Sequence, residues 1–135
     1  TLDLTGWAAA ADTFQVFLNQ EIAAKNIGPR VFLLGDDWFP AAHIDYYFSR
    51  KTGLPFFAIG KMQDLHHYIW LNRFRQPIQS GDDAYFVFPS NYFRDASVLK
   101  PHFQTVELAK KYPIYRNGVV VRQFYVWRCR SYISS

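Results

Sequence analysis

The side chains with the best claim to chemistry sit just after short apolar runs. Asp36 and Asp37 follow Arg30–Leu34, Lys61 follows Pro55–Ile59, and Ser90 and Asn91 follow Ala84–Phe88. Such runs, bounded by Gly or Pro, read as strands buried on both faces. In an open parallel sheet, ligands sit beyond the carboxyl ends of the strands, which is where these residues fall. Adjacent carboxylates at a strand end suit a metal or a general base. The alternative for Asp36 and Asp37 is that one caps the next helix and the other is solvated.

Other chemistries find little support. His66 and His67 are adjacent, so on a helix they diverge by about 100° and do not readily share one ion. His43 and His102 are isolated, and Cys129 is the sole cysteine, so no zinc-ligand spacing exists and no metal or other cofactor is expected. Ser90 lacks the Gly-x-Ser-x-Gly elbow of a hydrolase. Cys129, in a strand-like run, reads as a buried inert thiol. There is no Gly-x-Gly-x-x-Gly and no Walker loop. Aromatic and basic residues interleave at Phe74-Arg75 and Tyr92-Phe93-Arg94, but the aromatics fall at core spacings and no nucleic-acid partner is expected.

The elements that must position these residues follow from periodicity. Trp7, Ala11, Phe14, Leu18 and Ile22 recur at three- and four-residue spacing and predict a helix, with Thr5 as N-cap and Gly28 as left-handed stop. A second helix is expected over 39–51, with Ala41, Ile44, Tyr47 and Phe48 buried and Gly53 as its stop. A third is expected over 64–74, capped by Asp64. A helical turn is expected over 92–99, closed by Pro101. Thr105–Tyr115 and Val119–Ile133 read as extended runs joined through Asn117-Gly118, a strong hairpin signal.

These pieces predict one α/β domain over residues 1–135: a three-layer α/β/α arrangement on a mostly parallel sheet, with three strand–helix units and a C-terminal antiparallel hairpin at the edge. Thirteen Phe, nine Tyr and four Trp among 135 residues supply its core, which argues against disorder. Arg116, Arg122, Arg128 and Arg130 line the hairpin, either as a strip for phosphates or lipid headgroups or as edge protection. The net charge of +4 permits anionic contacts without requiring them. No apolar run is long enough to span a bilayer, and residue 1 is Thr with Met62 the sole Met, so the chain is expected to be part of a longer protein.

Four segments, in order, resemble a known family. Asp3-Leu4-Thr5-Gly6-Trp7 resembles the Asp-x-Thr-Gly-Trp signature that follows the last membrane helices of bacterial integral-membrane glycosyltransferases, those related to the protein O-mannosyltransferases (glycosyltransferase family 39). Residues 40–48 are similar to that family's Ala-rich helix, His66-His67-Tyr68-Ile69-Trp70 to its His/Gln-Tyr-x-x-Trp segment, and Gly81–Val87 to its Gly-x-Asp-Ala strand entry. The resemblance covers residues 3 to about 88, with Asp3, Thr5, Gly6 and Trp7 matching the signature; a helix cap with a buried Trp accounts for those four equally well.

The resemblance implies the extracytoplasmic C-terminal domain of a polytopic enzyme that moves a sugar from a polyprenyl-phosphate carrier to a lipid, glycan or protein acceptor. It implies a location on the outer face of the cytoplasmic membrane, periplasmic in a Gram-negative cell. The family's catalytic acids belong to membrane-portion loops, so no catalytic residue transfers to this chain, and the isolated domain is expected to be inactive. Its expected partners are the membrane portion of the same protein and carrier-lipid phosphate or a glycan acceptor. The expected contact surface joins Asp36, Asp37, Lys61, Ser90 and Asn91 to the His66–Trp70 segment. There Tyr68 and Trp70 would stack on a sugar, and His67 and Arg73 would meet phosphate or hydroxyl groups. The alternative is an extracytoplasmic ligand-binding or protein-interaction module without activity.

Overall fold

The computed structural model of the chain describes residues 4–35, 43–58, 79–89 and 96–133. Helix α1 spans Leu4–Ala23, strand β1 Val31–Gly35, and a second helical segment, α2, joins π-helical Ile44–Ser49 to α-helical Arg50–Thr52. Strand β2 is Phe56–Ala58 and β3 is Asp83–Pro89. A 3₁₀ helix over Ala96–His102 leads into β4, Phe103–Arg116, and β5, Val119–Tyr132.

The five strands form one sheet in the order β2-β1-β3-β5-β4. Parallel pairing joins β1 to β2 and β1 to β3, with Leu33 opposite Phe56 and Tyr85. The β3–β5 and β4–β5 ladders are antiparallel and longer, so the sheet is mixed. The expected mostly parallel, three-layer α/β/α arrangement is therefore wrong. Both α1 and α2 pack on the same face, through Trp7, Ala10, Phe14, Leu18, Ile44 and Phe48 against Tyr85, Val87, Phe124 and Val126. Among the described residues, the helical cover of the other face is the 3₁₀ helix, whose Ala96 and Leu99 pack with Phe32, Phe86, Phe103 and Cys129.

The reason lies in the two 14-residue hairpin strands. The hairpin lies at the edge of the sheet, as expected, with β5 as its inner strand. β5 inserts between β3 and β4, and its side chains fill both cores: Phe124 and Val126 toward α1, Cys129 and, past the irregular Ser131 (φ 59°), Tyr132 toward the 3₁₀ helix. β4 becomes the edge, where Lys110, Lys111 and Pro113 discourage further pairing. Edge protection is consequently no account of the β5 arginines.

Local details also depart from expectation. Thr5 lies within the described span of α1, Leu4–Ala23, instead of capping it. Its left-handed stop is Lys25 (φ 57°), not Gly28. The Asn26 N–H donates to the Glu21 carbonyl at 3.0 Å and the Lys25 N–H to the Ile22 carbonyl at 3.1 Å, the paired closure of a Schellman motif. Ile22, expected in the buried stripe, is 57% exposed, whereas Glu21 is buried. The described 3₁₀ helix, Ala96–His102, overlaps the end of the expected turn over 92–99 and carries Pro101 within it; residues 92–95 lie outside the described residues. Gly53 (φ 75°) stops α2, and Asn117 and Gly118 (φ 51° and 78°) make the hairpin turn, as the sequence predicts. The helix expected over 64–74 lies outside the described residues.

Candidate functional site

The sheet has two chemically different ends. Parallel pairing brings the carboxyl ends of β1, β2 and β3, at Gly35, Ala58 and Pro89, to one pole. Strand order reverses at β1, with β2 on one side and β3 on the other, so the switch point where open α/β sheets hold ligands falls beside Gly35. The residues expected to bind there, Asp36, Asp37, Lys61, His67, Tyr68, Trp70, Arg73, Ser90 and Asn91, lie outside the described residues, as does Asp3.

α1 begins at this same pole. Trp7 packs edge-on against Phe124 (ring centroids 5.5 Å apart), which is opposite Pro89. The Trp7 ring stacks on His43 at 4.8 Å and on Tyr47 at 6.4 Å. Trp7 and Gly6 are both buried, so the start of α1 and the start of α2 form one aromatic layer over the sheet. Of the signature residues, Trp7 and Gly6 have a structural role; the side chain of Thr5 lies outside the description.

The opposite pole carries a charged network that the sequence reading missed. Glu21 Oε1 accepts from Tyr85 Oη at 2.9 Å and from Arg128 Nε at 2.6 Å, and Glu21 Oε2 accepts from Asn26 Nδ2 at 2.7 Å. A second carboxylate, Glu107, takes Arg128 Nη1 at 2.7 Å. Burial by itself would raise the Glu21 carboxyl. The hydrogen bonds from Asn26, Arg128 and Tyr85 outweigh it and hold the group below the usual carboxylate range. Burial, reinforced by the Glu21 charge, drives the Tyr85 phenol well above its ordinary value.

Beside this network, Asp83 Oδ2 accepts from the Gly28 N–H at 2.6 Å and Oδ1 from the Ser131 N–H at 2.9 Å, with Arg130 Nε 3.2 Å away. Arg130 also donates to the Asn26 carbonyl. Asp82 forks Arg30 (Nε 2.7 Å, Nη2 3.2 Å) and accepts the Gln79 N–H at 2.9 Å. The signals were present in the sequence: Glu21 stands three residues after Leu18 on the apolar stripe, and Arg128 shares strand parity with Phe124 and Val126.

Compared with known protein families, curated proteins and solved structures, the chain has no match.

Chemically, this second pole is a clasp. A buried carboxylate held by three donors, its proton affinity lowered like that of Glu21, makes a poor base. Cys129 is equally unsuited to nucleophilic work: burial, together with the nearby Asp83 charge, pushes its thiol up to about 12. Among the described residues, no three His, Cys, Asp or Glu side chains converge on a possible metal position. Next to the clasp lies a cleft of about 580 Å³, lined by Leu18, Ile22, Ile27, Leu54, Pro55 and Phe57 with Arg30 and Asp82 at its polar side. Its size and apolar lining suit a small amphipathic molecule.

Proposed function

We propose that this chain is an accessory, extracytoplasmic domain of a polytopic glycosyltransferase that transfers a sugar from a polyprenyl-phosphate carrier to a lipid, glycan or protein acceptor. The observation that carries the reading is the Trp7 stack. The Asp-x-Thr-Gly-Trp-like segment and the Ala-rich helix segment, each similar to a family motif, meet as Trp7 on His43 and Tyr47. A third family-like segment, Gly81–Val87, supplies Asp83, which ties Gly28 and Ser131 together. Segments read separately as family-like thus act together in one fold.

The working end is the pole of strand ends beside Gly35, where the chain would help shape a carrier-lipid or acceptor cleft with the membrane portion of the same protein. The transfer chemistry belongs to that membrane portion, and this domain supplies contacts. Among the described residues, no helix is long and apolar enough to cross a membrane.

Fractionated source cells, probed with antibody against this domain, test the proposal. A band several times heavier than 15.8 kDa in the membrane fraction is the expected result; a soluble band of the domain's own mass overturns it. Alanine at His67, Tyr68 and Trp70 in the full-length enzyme is expected to lower sugar transfer, and unchanged transfer removes those residues from the cleft. A second reading, a ligand-binding module without an enzymatic parent, draws on the apolar cleft at the other pole. Ligand screening of the chain follows if the first test fails.

A further inference from the structure

Of the asparagines in the chain, Asn117 alone is followed by glycine. The pair forms the turn of the β4–β5 hairpin, with φ 51° at Asn117 and 78° at Gly118, and both residues are exposed. Among the described residues, neither the Asn117 side-chain amide nor the Gly118 N–H makes a hydrogen bond. A Cβ placed on Gly118 would meet nothing within 4 Å, so the space around its backbone is open.

The end of the hairpin that carries this turn is weakly held. Its flanking residues Tyr115, Arg116, Val119 and Val120 are all exposed. The ladder is irregular one step below them: Ile114 faces Arg122 while Tyr115 faces Val120, so Val121 is an extra residue on β5. Buried side chains start beyond that break, at Ile114, Tyr112 and Phe124. A segment with few buried contacts opens locally at little cost while the rest of a fold stays closed. Two other asparagines are placed differently. Asn26 Nδ2 donates to Glu21 at 2.7 Å, and Asn19, within α1, accepts from Gln15 at 2.8 Å.

We infer that Asn117 is a site of spontaneous deamidation, a covalent change that remodels the hairpin tip and leaves the core in place. The Gly118 backbone nitrogen gives its proton to hydroxide and bonds to Asn117 Cγ. The bond from Cγ to the side-chain nitrogen breaks, ammonia leaves, and a five-membered imide closes. Water then opens the imide at either carbonyl, giving aspartate or isoaspartate; in isoaspartate the main chain runs through Cβ and Cγ. One water enters and one ammonia leaves, with nothing oxidised or reduced. Closure needs the peptide plane between the two residues to leave its turn setting, which a weakly held tip allows. Glycine adds the backbone freedom and the absence of a Cβ that the approach requires. Isoaspartate lengthens a turn built on positive φ at two consecutive residues, so the pairing of Arg116 with Val119 is lost and a carboxylate appears next to Arg116 in the chain. The inference rests on the turn's own chemistry and is independent of the glycosyltransferase reading.

The test is incubation of the 135-residue chain in heavy-oxygen water at mildly alkaline pH, followed by peptide mapping. The peptide carrying Asn117 is expected to gain a labelled acid oxygen, as a mixture of aspartate and isoaspartate, while those carrying Asn19 and Asn26 keep their amides. The attacking nitrogen must lose its proton, so the rate rises about tenfold per pH unit. Gly118→Ala lowers the converted fraction several-fold. In the converted chain the backbone amide signals of residues 115–120 shift, those of Phe124 and Val126 do not, and the thermal midpoint stays close to that of the unconverted chain. An Asn117 that keeps its amide while the same chain converts in urea overturns the inference, because the turn then protects the site. Equal labelling at Asn19 or Asn26, or conversion indifferent to Gly118→Ala, overturns it as well.

Discussion

Glu21 and Arg128 are 107 residues apart in sequence, yet Arg128 Nε lies 2.6 Å from Glu21 Oε1, joining the last turns of α1 to the middle of β5. Both side chains are largely withdrawn from water, at 7% and 15% exposed. The pair holds the helix in register on a strand that the chain makes last.

Removing one member of such a pair leaves the other charge buried. Glu21→Gln is expected to cost about 3 kcal/mol, whereas Glu21→Leu with Arg128→Met recovers most of the loss. Urea denaturation of the two variants against the parent checks this. The pH dependence has a fixed sign. The folded Glu21 value is lowered from its ordinary 4.5, so its contribution is full above that value and is lost as pH falls through the lower folded value. Glu21→Gln removes that part of the acid sensitivity.

Asp83 is expected to be the costliest carboxylate to lose at the other end of the clasp. Asp83→Ala strips acceptors from the Gly28 and Ser131 N–H groups and from Arg130, at about 3 kcal/mol. Gly28→Ala places a Cβ 3.2 Å from Asp83 Oδ2, a carboxylate already held by those donors and unable to retreat; a cost of about 1 kcal/mol follows. Thermal melts rank both variants.

Lys25 holds a left-handed backbone at the end of α1 without the freedom of glycine. Lys25→Gly is expected to raise stability by roughly 0.5–1 kcal/mol, because a Cβ at positive φ is disfavoured there. A lower or unchanged denaturation midpoint would count against the Schellman closure.

Cys129 should resist thiol reagents in the native protein at mildly alkaline pH, since burial and the Asp83 charge push its thiol up to about 12. Reaction with a chromogenic disulfide is expected only when denaturant opens the sheet. Fast labelling of the native chain would mean that β5 opens locally.

Much of the local structure was legible in residue order. The turn at Asn117-Gly118, the stop at Gly53, all five strands and the stripe Trp7, Ala11, Phe14 and Leu18 follow from backbone preference and period, properties a short window of sequence carries. The sheet order did not follow. The hairpin was expected at the edge, where it lies, but which of its strands pairs with β3 depends on which long-range pairing buries more apolar surface, and no local signal encodes that.

The candidate site divides along the same line. Sequence directed attention to the strand ends, and the sheet does bring Gly35, Ala58 and Pro89 to one pole. It also marked Arg116, Arg122, Arg128 and Arg130 as a charged strip along the hairpin, and missed Glu21. Only the tertiary structure decided that Glu21 and Arg128 turn inward to each other. The physical reason is that the fate of a charge depends on whether a partner of opposite sign is brought to it as water is removed. That is a property of the packed sheet, set by pairings a hundred residues apart.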